Sequence, residues 1–178
     1  MENNKICWYI VNKEYVKFLQ KFDERVQNID YNTSTKPYIG IVLSINEFKY
    51  YVPISSLKEK HYKMHENIDF IKIVNGDELL SVINLNNMIP IQKDDVIKLD
   101  YSMIENYICF NDDIAKMKYI ALLRKEISII NKRKDDIFKR AKKMYEIKYK
   151  FPNSKISIRC CDFKLLEQKS MEYMSDLL

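Results

Sequence analysis

The sequence predicts an α+β fold in which a strongly bent antiparallel sheet, or a small barrel, is followed by added helices. Three observations carry this. Short apolar runs rich in β-branched and aromatic residues recur through the first part of the chain. Tight-turn signals separate them at Asn46-Glu47 and Asn75-Gly76. Beyond Asn111 the apolar period lengthens from that of a strand to that of a helix. At 178 residues the chain fits one domain, 1–178, long enough to bury an ordinary hydrophobic core.

Residues 6–11 (ICWYIV) form a continuous apolar run and predict a buried strand. Asn12 caps a helix on which Tyr15, Phe18, Leu19 and Phe22 share one apolar face, while Lys17, Gln20, Lys21 and Glu24 point away. On this pattern Tyr15 is a core residue. Residues 27–36 are polar and aperiodic, a surface loop that delivers Tyr31, Thr33, Ser34, Thr35 and Lys36 to the mouth of the hairpin that follows. That hairpin pairs residues 38–45 with 48–54 across Asn46-Glu47 and runs directly into Ser55-Ser56-Leu57-Lys58-Glu59-Lys60-His61. Hydroxyls, ammoniums and an imidazole thus crowd at the end of a stiff strand, a good place to hold reactive groups.

A second hairpin is expected over 69–74 and 80–85, with Asn75-Gly76 beginning its turn. Runs at 88–91, broken by Pro90, and 96–101 complete about six or seven strands. Asp112-Asp113 cap a helical region over 113–149, with apolar residues at 117, 120, 123, 127, 130, 137, 141 and 144. Its length predicts a break between Asn131 and Asp135, and Pro152 ends it. Residues 155–159 (KISIR) alternate like an edge strand, and Asp162 caps a closing helix.

Composition removes several function classes. Two glycines leave no phosphate-cradling loop, so nucleotide cofactors are not expected. The four cysteines form no C-x-x-C pair and read as reduced, semi-buried small hydrophobes. His61 and His65 lack an H-E-x-x-H pattern, the carboxylates stand in no ligand spacing, and no metal is expected. A Ser-His-Asp hydrolase lacks its G-x-S-x-G elbow. No run suits a signal peptide or a membrane span, so a soluble cytoplasmic protein is expected. The formal charge is +5, and basic residues concentrate at 58–63 and 116–150. Lys132, Arg133, Lys139 and Arg140 contribute to a basic helix face. Such clustering suits a polyanion, although a solvated face is its commoner explanation. Thirteen tyrosines add stacking faces and hydroxyls that a nucleic acid can use.

Hydroxyls beside lysines suit attack on a phosphodiester, where charge on phosphoryl oxygens must meet fixed cations and donors. RNA carries its own nucleophile, the ribose 2′-OH, so positioning, charge neutralisation and proton transfer suffice. Ser55, Ser56, Lys58 and Lys36 are candidates to grip the phosphate, with His61 or Tyr31 shuttling a proton. Two other readings stand beside this one: a non-catalytic RNA-binding module acting by occupancy, and an interaction domain with a solvated basic face.

Four segments add a resemblance: EYVKFLQKFDERV at 14–26, KPYIGIVLSINEFKYYVPISSLKEKH at 36–61, VINLNNMIPI at 82–91 and CDFKLLEQK at 161–169. In order and over nearly the whole chain they resemble the ToxN/AbiQ family of type III toxin–antitoxin and abortive-infection toxins. The resemblance implies a metal-independent endoribonuclease with a fold similar to MazF and Kid, an SH3-like barrel with added helices. It implies cleavage to 2′,3′-cyclic phosphate and 5′-OH ends on cellular or phage RNA. It also implies a partner, a small repeat antitoxin RNA that the toxin processes and whose pseudoknot units inhibit it in a closed assembly with several toxin copies. The family's hydroxyl pair falls on Ser55 and Ser56, its motif lysine on Lys58, and the lysine before the I-G-I-V strand on Lys36. Its first-helix tyrosine falls on Tyr15, its loop tyrosine on Tyr31 after a one-residue shift, and a family histidine on His61. Tyr15, His61, Lys60, Lys132, Arg133, Lys139 and Arg140 would then hold RNA.

Overall fold

The computed structural model describes residues 5–27 and 36–175. Its strands are β1 (Cys7–Val11), β2 (Tyr38–Ile45), β3 (Phe48–Ser55), β4 (Phe70–Asn75), β5 (Glu78–Asn84), β6 (Ile89–Pro90) and β7 (Val96–Lys98). They form one seven-stranded antiparallel sheet in the order β4-β5-β3-β2-β1-β7, with β6 joined to β3 off that path. Among the described residues the sheet stays open, with β4 and β7 at the ends of that order, rather than closing into the barrel that the sequence left as an alternative. Strand β3 is its pivot: one edge pairs with β2, and the other is shared between β6 at Tyr50–Tyr51 and β5 at Ile54–Ser55.

Both hairpin turns follow from local chemistry. Asn46 opens the first with φ 52°, a left-handed conformation that asparagine tolerates better than most residues. In the second, Asn75 still pairs with Glu78, so the two turn residues are Gly76-Asp77, one position later than expected, and Gly76 supplies φ 60°. Gly40 has a different task. The Tyr51 ring lies across it on the neighbouring strand, and any Cβ there would run into the ring at Cδ1 and Cε1. The register of β2 shifts between Gly40 and Leu43, which bends the strand. Gly40→Ala is expected to cost about 1–3 kcal/mol through overpacking, read as a lower urea midpoint at unchanged slope.

The helices are α1 (Lys13–Gln20), α2 (Glu59–Lys63), α3 (Asp113–Lys132), α4 (Lys134–Lys150), α5 (Lys155–Ile158) and α6 (Phe163–Ser175). Asn12 caps α1 by accepting the Glu14 N–H at 3.0 Å, and Asp112 caps α3 by accepting that of Ala115 at 2.6 Å. Helix α1 stops before Phe22, which is 40% exposed instead of joining the apolar face. The expected break falls at Arg133, just past Asn131, whose amide pairs with both the N–H and the carbonyl of Ile6. Met117 is 68% exposed, because the buried stripe of α3 begins only at Leu123.

Residues 155–158 are helical, not a strand. Ser154 caps the turn, its Oγ accepting the Ser157 N–H at 3.2 Å, and Ser157 Oγ donates to Ile147 O. Five alternating residues fit a strand and one helical turn equally, and the cap decides.

Helix α4 packs on β2, α3 on β4, and α6 on β6 and α1. The buried contacts include Trp8 Nε1 donating to Leu123 O at 2.9 Å, and Tyr50 and Tyr145 hydroxyls donating to Glu167. None of the four cysteines is in a disulfide among the described residues; Cys109 is exposed and Cys160 and Cys161 are buried, and burial pushes both buried thiols well above their usual pKa.

Candidate active site

A cavity of about 280 Å³ opens where β3, β4 and β5 meet at one end of the sheet. The register brings its walls together, since Ser55 pairs with Val82, and Asn84, two residues on, pairs with Phe70. Ser55, Lys58, Lys60 and His61 form one wall. Asp69 precedes β4 and Phe70 begins it, Asn84 ends β5, and Asn86 and Asn87 follow in a 3-10 turn. Gln27 and Arg159 reach in from opposite ends of the chain.

Each group is held by a specific contact. Asn84 Nδ2 donates to Ser55 Oγ at 3.1 Å, which leaves the Ser55 proton available for another acceptor. The Lys58 backbone N–H donates to His61 Nδ1 at 3.1 Å, so the neutral ring carries its proton on Nε2. His61 is only 4% exposed, its ring 5.8 Å from that of Phe70. Burial, then the ammoniums of Lys60, Lys58 and Lys72, hold its pKa below the ordinary histidine value. The unfolded chain therefore binds more protons than the folded one as pH falls through about 6.5, and folding stability drops in that window. His61→Gln is expected to remove that part of the loss, measured by urea denaturation at a series of pH values.

The remaining expected site residues divide clearly. Ser56 is exposed and does not line the cavity. Lys36 stands near Ser55 in the chain's path, but its ammonium pairs with Glu126 Oε1 at a site where the two side chains are 5% and 0% exposed. In this structure it is a buried ion-pair partner. Tyr15 is fully buried, its hydroxyl donating to Pro90 O at 2.5 Å, so it is a core group and offers no surface to RNA. Tyr31 lies outside the described residues.

On the helix face, Lys132 and Lys139 are exposed. Arg133 instead makes a two-pronged bond to Glu66 at 2.8 and 3.0 Å, and Arg140 bonds Asp136 and the Asn67 carbonyl. Both arginines reach Glu66 in the loop after α2, and Asp136 on α4 braces both guanidinium groups. Among the described residues no group of three or more His, Cys, Asp or Glu converges to hold a metal ion.

Arg159 and the amides of Gln27, Asn84, Asn86 and Asn87 were not anticipated as site residues. Arg159 lay hidden in the run misread as a strand. The run 84–87 belongs to the segment VINLNNMIPI, in which the resemblance implies no role for the asparagines.

Residues 7–171 match the family model described as Toxin ToxN, type III toxin-antitoxin system. The chain is 30% identical over 172 residues to Endoribonuclease ToxN of Pectobacterium atrosepticum, covering 93% of this chain and 92% of that protein. The structure of AbiQ, a lactococcal anti-phage endoribonuclease of the type III class, matches with a TM-score of 0.80 at 23% identity, over 96% of this chain and 99% of that one. A structure showing selective inhibition of a type III toxin by a non-coding RNA pseudoknot matches with a TM-score of 0.79 at 23% identity, over 96% and 98% of the two chains.

Proposed function

The chain belongs to the ToxN family of type III toxin–antitoxin systems, and from that premise we propose that it is a metal-independent endoribonuclease whose site is the cavity at the end of β3. The observation that carries this is that Ser55, Lys58, Lys60 and His61 line one cavity, with Ser55 Oγ held by Asn84 and His61 Nδ1 by the Lys58 N–H.

In the proposed reaction the ribose 2′-OH attacks the adjacent phosphorus and the bond from phosphorus to O5′ breaks. The fragments end in a 2′,3′-cyclic phosphate and a 5′-OH, one proton leaving O2′ and one arriving at O5′. Lys58 and Lys60 neutralise charge on the phosphoryl oxygens as the transition state forms. The Ser55 O–H and His61 Nε2–H donate to the same oxygens. His61 presents a donor in this tautomer, so it does not serve as the base while Lys58 occupies Nδ1. We assign proton transfer to Tyr31, the family's loop tyrosine by resemblance. Lys36, tied to Glu126, fixes the approach to β2.

The proposed inhibitor is a small repeat RNA, processed by the toxin and bound as a pseudoknot in a closed assembly; inhibition of a similar type III toxin by a non-coding RNA pseudoknot supports the pseudoknot part of this reading. Exposed Lys132 and Lys139 are proposed contacts to its backbone. The proposed setting is the cytoplasm; among the described residues no helix is long and apolar enough to cross a membrane. Purified protein incubated with RNA in EDTA is expected to yield discrete fragments. Intact RNA carrying bound protein would instead support action by occupancy alone.

A further inference from the structure

We propose that the cavity also reads one base of the RNA, and that Arg159, oriented by Asp69, selects a guanine or cytosine there; this rests on RNA being the substrate. Arg159 meets Asp69 90 residues away in sequence, with Nε at 2.7 Å from Oδ2 and Nη2 at 2.8 Å from Oδ1. The Asp69 side chain is 3% exposed, whereas that of Arg159 is 48% exposed and lines the cavity. One edge of the guanidinium is thus fixed by a buried carboxylate. The other edge, Nη1 with the second N–H of Nη2, has no hydrogen-bond partner among the described residues and forms a rigid two-donor fork.

Two features favour a base over a phosphate for this fork. First, the buried Asp69 carboxylate offsets the Arg159 charge, while Lys58 and Lys60, which make no ion pair among the described residues, line the same cavity. Second, the surrounding amides present acceptors. Asn84 Nδ2 is bonded to Ser55 Oγ, Asn86 Nδ2 to Arg159 O and Gln27 Nε2 to Asn87 Oδ1. Among the described residues their carbonyl oxygens remain, beside one further N–H on each amide; a phosphodiester could meet those N–H groups but has no proton to offer the oxygens. A base has both acceptors and donors.

The fork requires two adjacent acceptors. Guanine offers N7 and O6, the commonest arginine contact to a base edge, and unpaired cytosine offers N3 and O2. Adenine sets its amino group beside N1 and N7, and uracil separates its carbonyls with N3–H, so neither fills the fork. Guanine N1–H and N2–H, or cytosine N4–H, then meet the amide oxygens. Phe70 and Met64 line the same cavity and give the ring an apolar surface.

The test uses 2′-O-methyl oligoadenylate hexamers, which lack the attacking hydroxyl, with one adenine replaced by guanine, cytosine or uracil at each position in turn. The protein is expected to bind at least one guanine- or cytosine-bearing hexamer about tenfold more tightly than the all-adenine and uracil-bearing ones. Arg159→Lys keeps the charge and removes the fork, and should reduce that ratio to below about threefold. Absence of the preference in the parent protein overturns the proposal. So does an Arg159→Lys variant that weakens every hexamer equally, which marks a phosphate contact. Because these hexamers cannot be cut, the result is independent of cleavage, and a protein inert toward cleavable RNA would fail the nuclease reading alone.

Discussion

Lys58→Ala lowers single-turnover cleavage of a defined RNA by about 10²–10³-fold, the usual cost of removing one group that stabilises developing charge. Lys58 lines the cavity, and its backbone N–H holds His61. The substitution keeps that N–H and removes only the ammonium, so circular dichroism and the urea midpoint should stay near those of the parent. Ser55→Ala should fall in the same range, and Ser56→Ala should cost less than about tenfold, because only Ser55 lines the cavity. The resemblance treats the two serines as a pair. The structure separates them, and the comparison between the two variants decides which hydroxyl acts. A Ser56→Ala protein that is folded and inert, beside a Ser55→Ala protein that cuts normally, would reverse this assignment.

Glu126→Leu and Lys36→Met, made singly, each destabilise the fold by about 3–5 kcal/mol, whereas the double variant returns close to the parent. Both side chains are almost fully buried, and Glu126 Oε2 has no hydrogen-bond partner among the described residues. Removing one charge strands the other in a low-dielectric interior. Removing both exchanges an ion pair for apolar packing between α3 and the approach to β2. Urea denaturation of the four proteins gives the coupling directly. Additive losses would show that the pair does not compensate itself.

Much of the architecture is legible in the sequence because its determinants are local. The first hairpin was read with its turn in place, since only Asn46 and Glu47 separate the two runs. Asn12, Asp112 and the break after Asn131 follow from capping chemistry and helix length. KISIR was misread because alternation over five residues does not reveal the Ser154 cap. The barrel alternative failed on a question no local pattern answers, whether the two end strands meet.

The candidate site divides along the same line. Ser55, Lys58, Lys60 and His61 lie within one short segment, and their crowding was visible. Arg159 and Asp69 become neighbours only through the tertiary fold. Tyr15 carries two expectations: its apolar helix face indicates core, which its full burial matches, while RNA contact is implied by the resemblance alone. Arg133 and Arg140 look like free cations in a basic run, until Glu66 arrives from the loop after α2.

The central claim is that the RNA's own 2′-OH is the nucleophile, with the cavity groups stabilising the phosphoryl charge. Its most direct test is the chemistry of the ends that the purified protein leaves on a defined RNA in EDTA. The expected products carry a 2′,3′-cyclic phosphate on one fragment and a 5′-OH on the other, with cleavage abolished by a single 2′-deoxy substitution at the cut nucleotide. A 5′-phosphate beside a 3′-OH, or undiminished cutting of the 2′-deoxy substrate, would contradict it.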